Sequence, residues 1–109
     1  MKARIRRRYL ALKIDSEEKI SQKELMDAIW EAVLRLYGEY GASKTSLTLI
    51  EYDAEENLAI IRAAHTEIEN IRAAVATITE VAAKPAAVHI LTGSGILKKL
   101  RRKMRMKGF

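Results

Sequence analysis

The sequence predicts an α+β protein, a ferredoxin-like βαββαβ sandwich in which a four-stranded antiparallel sheet carries two helices on one face and a basic helix follows at the C-terminus. Three observations point to it. Strand-like and helix-like segments alternate in the order strand, helix, strand, strand, helix, strand, and each helical segment opens on a capping box. The two central strands are separated only by Asp53-Ala54-Glu55-Glu56-Asn57, a polar loop of hairpin length. A chain of 109 residues with one Pro and five Gly has room for a single core and no flexible linker, so residues 1–109 read as one domain.

The elements follow in order. Arg8 to Asp15 alternates Leu10, Leu12 and Ile14 against Tyr9, Ala11 and Lys13, the period of a half-buried strand. Ser21 with Glu24 caps the first helix, whose apolar positions Leu25, Ile29, Ala32, Val33 and Leu36 recur until Gly38 and Gly41 offer a stop. Ala28, Trp30, Leu34 and Tyr37 widen that stripe. Thr45 to Tyr52 and Leu58 to Ala64 are the hairpin strands. Thr66 with Glu69 predicts a second capped helix through Ile68, Ile71, Val75, Ile78 and Ala82, which Pro85 ends. Ala87 to Thr92 is the fourth strand, and Gly93-Ser94-Gly95 turns the chain into a last helix from about Ile96.

The sheet does not alternate cleanly. Ile50 and Tyr52 oppose Leu47 and Leu49, and Leu58 and Ile60 oppose Ile61, so both faces carry large apolar groups. A wet face would be more polar, which implies that the terminal helix, a second copy or a partner protein covers it. Ile50, Tyr52, Leu58, Ile60, Leu97 and Leu100 are the expected interface residues.

Charge is segregated. Ile96 to Phe109 holds seven Lys/Arg and no acid, and five more bases lie in the first eight residues. With those twelve of the twenty bases set aside, eight remain against fourteen acids, so the middle of the chain is net −6 while the whole is +6. An acidic body with a basic N-terminal arm, residues 1–8, and a basic C-terminal helix and tail, residues 96–109, is the footprint of a polyanion binder, because neutralised phosphates release counterions. Lys2, Arg4, Arg6, Arg7 and Arg8 are the candidate RNA contacts in the arm. In the terminal segment Leu97, Leu100 and Met104 form an apolar stripe, and Lys98, Lys99, Arg101, Arg102, Lys103 and Arg105 surround it. Ser94, ahead of that helix, is a further candidate, since helix N-termini favour anions.

Other chemistries find little support. There is no Cys, which excludes disulfides and Cys-based zinc sites. No apolar run approaches the roughly 20 residues that span a bilayer, so the expectation is a cytoplasmic protein without membrane contact. His65 and His89 lack partners at metal-ligand or triad spacing and no catalytic residue is assigned. Glu51, Asp53, Glu55 and Glu56 form a cluster better read as a solvated loop than as a magnesium site. The third strand lacks the paired aromatics that stack bases in an RNA recognition motif, so contact through backbone charge and shape is favoured, and Arg62 there reads as paired with Glu51 or pointing out of a covered sheet.

Arg8-Tyr9-Leu10-Ala11-Leu12-Lys13-Ile14, Trp30, Leu58-Ala59-Ile60-Ile61-Arg62, Ile71-Arg72-Ala73-Ala74 and Ser94-Gly95-Ile96-Leu97-Lys98-Lys99 together resemble the archaeal ribonuclease P protein component 2 family, from about Arg7 to Lys103. Ile96 departs from it, since the family often has Thr after Ser-Gly. The resemblance implies a noncatalytic subunit of the ribonucleoprotein that removes 5′ leaders from precursor tRNA. It implies that the RNA holds the catalytic site and its magnesium, with none bound by the protein alone. It further implies that the chain pairs with ribonuclease P protein component 3, that it touches precursor tRNA only indirectly, and that a homodimer can form within the larger assembly. Without the resemblance, the charge pattern also fits a ribosomal or other ribonucleoprotein component, and the fold fits a small-ligand regulatory module.

Overall fold

The computed structural model describes residues 6–106, with side chains for 6–105; Lys2 and Arg4 lie outside the described residues. Strand β1 (Arg7–Asp15) is followed by helix α1 (Gln22–Ser43), the hairpin strands β2 (Thr48–Asp53) and β3 (Leu58–Ala64), and a 3₁₀ turn at His65–Glu67. Helix α2 (Ile68–Ala76), a short hairpin of β4 (Glu80–Val81) and β5 (Lys84–Pro85), strand β6 (Ala87–Ser94) and helix α3 (Leu97–Met106) complete the chain. The main sheet is antiparallel in the order β2-β3-β1-β6, the ferredoxin-like arrangement expected.

Leu10, Leu12 and Ile14 of β1 pack with Leu25, Ile29 and Val33 of α1 and Ile71 and Val75 of α2, forming the larger core on one face. The capping box at α1 is present in both halves, the Ser21 hydroxyl accepting from Glu24 N and the Glu24 carboxylate from Ser21 N. Gly38, where a stop was expected, adopts φ 73° and ψ 178°, a kink that divides α1 into two helical segments, the second running on to Ser43. Leu36, just before the kink, is out of the core and 44% exposed.

Two expectations for the second half of the chain are corrected. Thr66 makes no capping bond; the 3₁₀ turn occupies 65–67 and α2 starts one residue after Glu67. The helix stops at Ala76 instead of Ala82. Thr77 is its C-cap, and the following Ile78, Thr79 and Val81 are β-branched residues with restricted rotamers in a helix. Reversing the chain at Ala82 and Ala83, both at positive φ, buries Ile78 and Val81 together.

The second face explains the failed alternation. The ladders skip a residue at Ile50, between Leu49 and Glu51, and at Leu91, between the partners of Ala11 and Leu12. Each irregularity lies on an edge strand, where bulges concentrate. Ile50 and Leu91 both join Ala11, Ile60, Tyr9 and the α3 side chains Leu97, Leu100 and Met104 in a smaller second core. Leu100 is fully buried there. Thus α3 itself covers part of this face of the sheet.

Candidate nucleic-acid interface

The sheet register brings the two basic segments together. Tyr9, near the start of β1, pairs with Ser94 at the end of β6 on one side and with Arg62 near the end of β3 on the other. Arg62 pairs in turn with Thr48 at the start of β2. Segments at opposite ends of the chain therefore converge on one end of the sheet, which also carries Arg7, Arg8 and Arg62. Arg7 and Arg8 belong to β1 and the Arg6 carbonyl accepts from His65 N at 2.7 Å, so these three bases are held in the fold rather than in a free arm.

Helix α3 crosses the sheet and is tied to both edges. Arg101 pairs with Glu51 of β2, and Lys103 Nζ donates to the Gly93 carbonyl of β6 at 3.0 Å. These two cations anchor the helix. Lys98, Lys99, Arg102 and Arg105 are exposed and have no ion pair among the described residues. Arg72 of α2 joins this region from the opposite face: a Cβ on Gly93 would lie 3.4 Å from its Nη2. Charge counting along the sequence missed Arg72, because it lies in the net-acidic middle of the chain.

The remaining candidates fall in different places. Ser94 is only 5% exposed, and its hydroxyl accepts from Ile96 N at 3.2 Å, a turn bond that leaves it inside the fold. Ile60, Leu97, Leu100 and Ile50 meet in the second core. Tyr52, expected beside Ile50, lies on the other face after the bulge, packs on the main core and donates its hydroxyl to the Ile20 carbonyl. Leu58 lines a hollow with Glu51, Asp53 and Met104 at the edge of α3.

The opposite end of the sheet is acidic. Asp15 ends β1 and Glu17 and Glu18 follow it, and Asp53, Glu55 and Glu56 turn the β2–β3 hairpin beside it. The Asp53 carboxylate accepts from Glu55 N and Glu56 N, both at 3.1 Å, so it shapes the turn, and Glu51 is engaged by Arg101. Among the described residues no three His, Cys, Asp or Glu side chains are grouped to hold a metal. A groove of about 450 Å³ beside α1 is lined by Glu24, Asp27, Glu31, Arg35 and Glu80, and its carboxylates oppose an anionic ligand. Glu24 is held below its ordinary value, first by the Ser21 amide and then by the Lys84 side chain. Burial, and then the charge of Glu24, raise Tyr52 above its ordinary value.

Fold and charge define a small ferredoxin-like protein with a cationic end built from the start of β1 and the end of β6 and a basic helix lying on its sheet. Comparison with known proteins agrees. The profile of the Rpp14/Pop5 family matches residues 8–105, and the chain belongs to that family. It is 32% identical to ribonuclease P protein component 2 of Pyrococcus furiosus over 100 residues, covering 92% of this chain and 83% of the relative. The corresponding Methanosarcina barkeri protein is 35% identical, with 92% and 73% covered. A chain in the cryo-EM structure of yeast ribonuclease MRP superposes with a TM-score of 0.71 at 21% identity, over 98% of this chain and 97% of that one, and shows the same fold. No helix among the described residues is long and apolar enough to cross a membrane.

Proposed function

We propose that this protein is a ribonuclease P subunit that binds and supports the catalytic RNA, acting in the cytoplasm on 5′-leader removal from precursor tRNA without contributing catalytic groups. The convergence of both basic segments at one end of the sheet carries this reading, together with the family. Cations fixed on strands and on a docked helix lower the repulsion between RNA strands without an ordering cost at the moment of binding. The RNA then needs fewer divalent ions to reach its active fold, and the magnesium of catalysis belongs to the RNA.

A protein partner, ribonuclease P protein component 3, completes the reading. Since α3 covers the apolar part of this sheet face, the surface offered to it lies elsewhere: Leu34, Leu36 and Tyr40, 43%, 44% and 75% exposed, are large apolar side chains that α1 leaves in solvent.

Reconstituted precursor-tRNA cleavage at limiting magnesium, with cognate RNA, this chain and component 3, tests the proposal. Strong stimulation only with both proteins is the expected result. An unchanged magnesium requirement would refute it, and intact salt-sensitive RNA binding without stimulation would favour another ribonucleoprotein role.

A further inference from the structure

We propose that Arg62 is a phosphate ligand, the point on the sheet itself at which RNA backbone is seated; the inference rests on the RNA-binding reading above. Glu51, the acid on its own face of the neighbouring strand, is taken by Arg101. Arg62 makes no ion pair and no side-chain hydrogen bond among the described residues, and its Nε is buried without an acceptor. Its cross-strand neighbours are Tyr9 and Thr48, neither of which carries charge. An arginine that has lost water at Nε and found no acceptor is unusual, because buried donors and charges are nearly always paired.

The group is only partly buried, and its Nη nitrogens are not among the buried unpartnered atoms, so its tip reaches the surface. An anionic oxygen from outside the fold can therefore meet it. Helix α3 packs chiefly on β6 and β1, and among the described residues the β2–β3 corner around exposed Thr48 is left uncovered. Guanidinium presents paired N–H donors that match phosphate geometry, and a stem fixed between two strands is already in position to bind. The ligand is RNA rather than a protein carboxylate because Arg7, on the same face of β1, and Arg8 beside it make this end of the sheet a cationic surface continuous with the exposed bases of α3.

The test measures binding of the full chain, alone and with cognate component 3, to the cognate ribonuclease P RNA between about 0.05 and 0.2 M salt. Arg62→Met should weaken binding about tenfold, the scale of a charged hydrogen bond, and reduce the salt slope by about 0.7 to 0.9. Its melting temperature should hold or rise, because an unpaired buried donor is removed. Arg62→Lys should keep the slope and lose part of the affinity. Wild-type affinity and slope in Arg62→Met would overturn the proposal. So would a fall in melting temperature for Arg62→Met with unaltered binding by Arg62→Lys, which marks a structural role, or weakened association with component 3 alone, which marks a protein carboxylate. If the wild-type chain itself shows no salt-dependent RNA binding, the RNA-binding reading fails and takes this one with it.

Discussion

Glu24 is the residue on which the start of α1 depends. Its carboxylate accepts from Ser21 N at 2.9 Å and meets Lys84 Nζ at 3.2 Å, while Lys84 also donates to the Lys19 carbonyl at 2.8 Å. One ion pair thus joins the helix N-terminus to the small hairpin. Because the folded value lies below the ordinary 4.5, the native state binds fewer protons than the unfolded chain in that range. The stabilisation is present above about 4.5 and is lost as pH falls through the lowered value. Glu24→Gln should flatten that part of a pH titration of melting temperature; an unchanged acid limb would show that the contact does not matter. Gly38 is constrained differently. At φ 73° and ψ 178° it occupies backbone space that other residues rarely enter, and nothing lies within 4 Å of an added Cβ. Gly38→Ala should therefore cost about 1–3 kcal/mol through backbone strain alone, read as a lower denaturant midpoint at constant m-value.

Among the elements, α3 combines two roles that sequence periodicity could not separate. Leu100 seats it, Arg101 and Lys103 fasten it to the two edge strands, and Lys98, Lys99, Arg102 and Arg105 face outward. Leu100→Ala should cost about 2–5 kcal/mol if the helix stays docked, and no more than truncation after Gly95, which removes the docking altogether. The truncated chain exposes Ile50, Ile60 and Leu91, so light scattering should show it associating; a stable monomer would contradict the role given to α3. Replacing Lys98, Lys99 and Arg102 by Ala should lower the salt slope of RNA binding by about 2–3 with little change in melting temperature. Arg101→Ala should do the reverse, affecting stability more than slope, because its charge is already opposed by Glu51.

Across the whole molecule, charge is polarised along the strands. From Arg7, paired with Ala64, to Lys13, paired with Leu58, is six residue steps, roughly 20 Å at the usual rise, so the acidic hairpin stands about two Debye lengths from the start of β1 at 0.1 M salt, while the C-terminal turn of α3 reaches toward it at Met104. Glu55→Gln with Glu56→Gln should consequently leave RNA affinity and its salt slope unchanged. A marked gain in affinity would show that RNA wraps the length of the sheet. The polarity also orients the molecule: phosphate is drawn to the end where β1 starts and β6 finishes and is repelled from the hairpin and from the groove beside α1.

Much of this was legible beforehand. The alternation of Leu10, Leu12 and Ile14, the Ser21–Glu24 box and the polar hairpin loop are local signals, each acting within a few residues, and they determined element order and fold class. The basic composition of the termini is likewise a local count. What tertiary structure decided is everything that depends on pairing between distant residues. Bulges at Ile50 and Leu91 switched the faces of the residues that follow them, so that Glu51 came to the α3 face and Tyr52 left it, because one extra residue reverses the parity of a strand. Burial of Ile78 and Val81 overrode the helical pattern beyond Ala76. The partner of Glu51 proved to be Arg101 from a helix fifty positions away, which left Arg62 without an ion pair among the described residues. The sequence by itself determined that this chain is a ferredoxin-like protein with basic ends; only strand register, a long-range choice made by the packed core, determined that the bases at the start of β1 lie beside the end of β6 from which α3 departs.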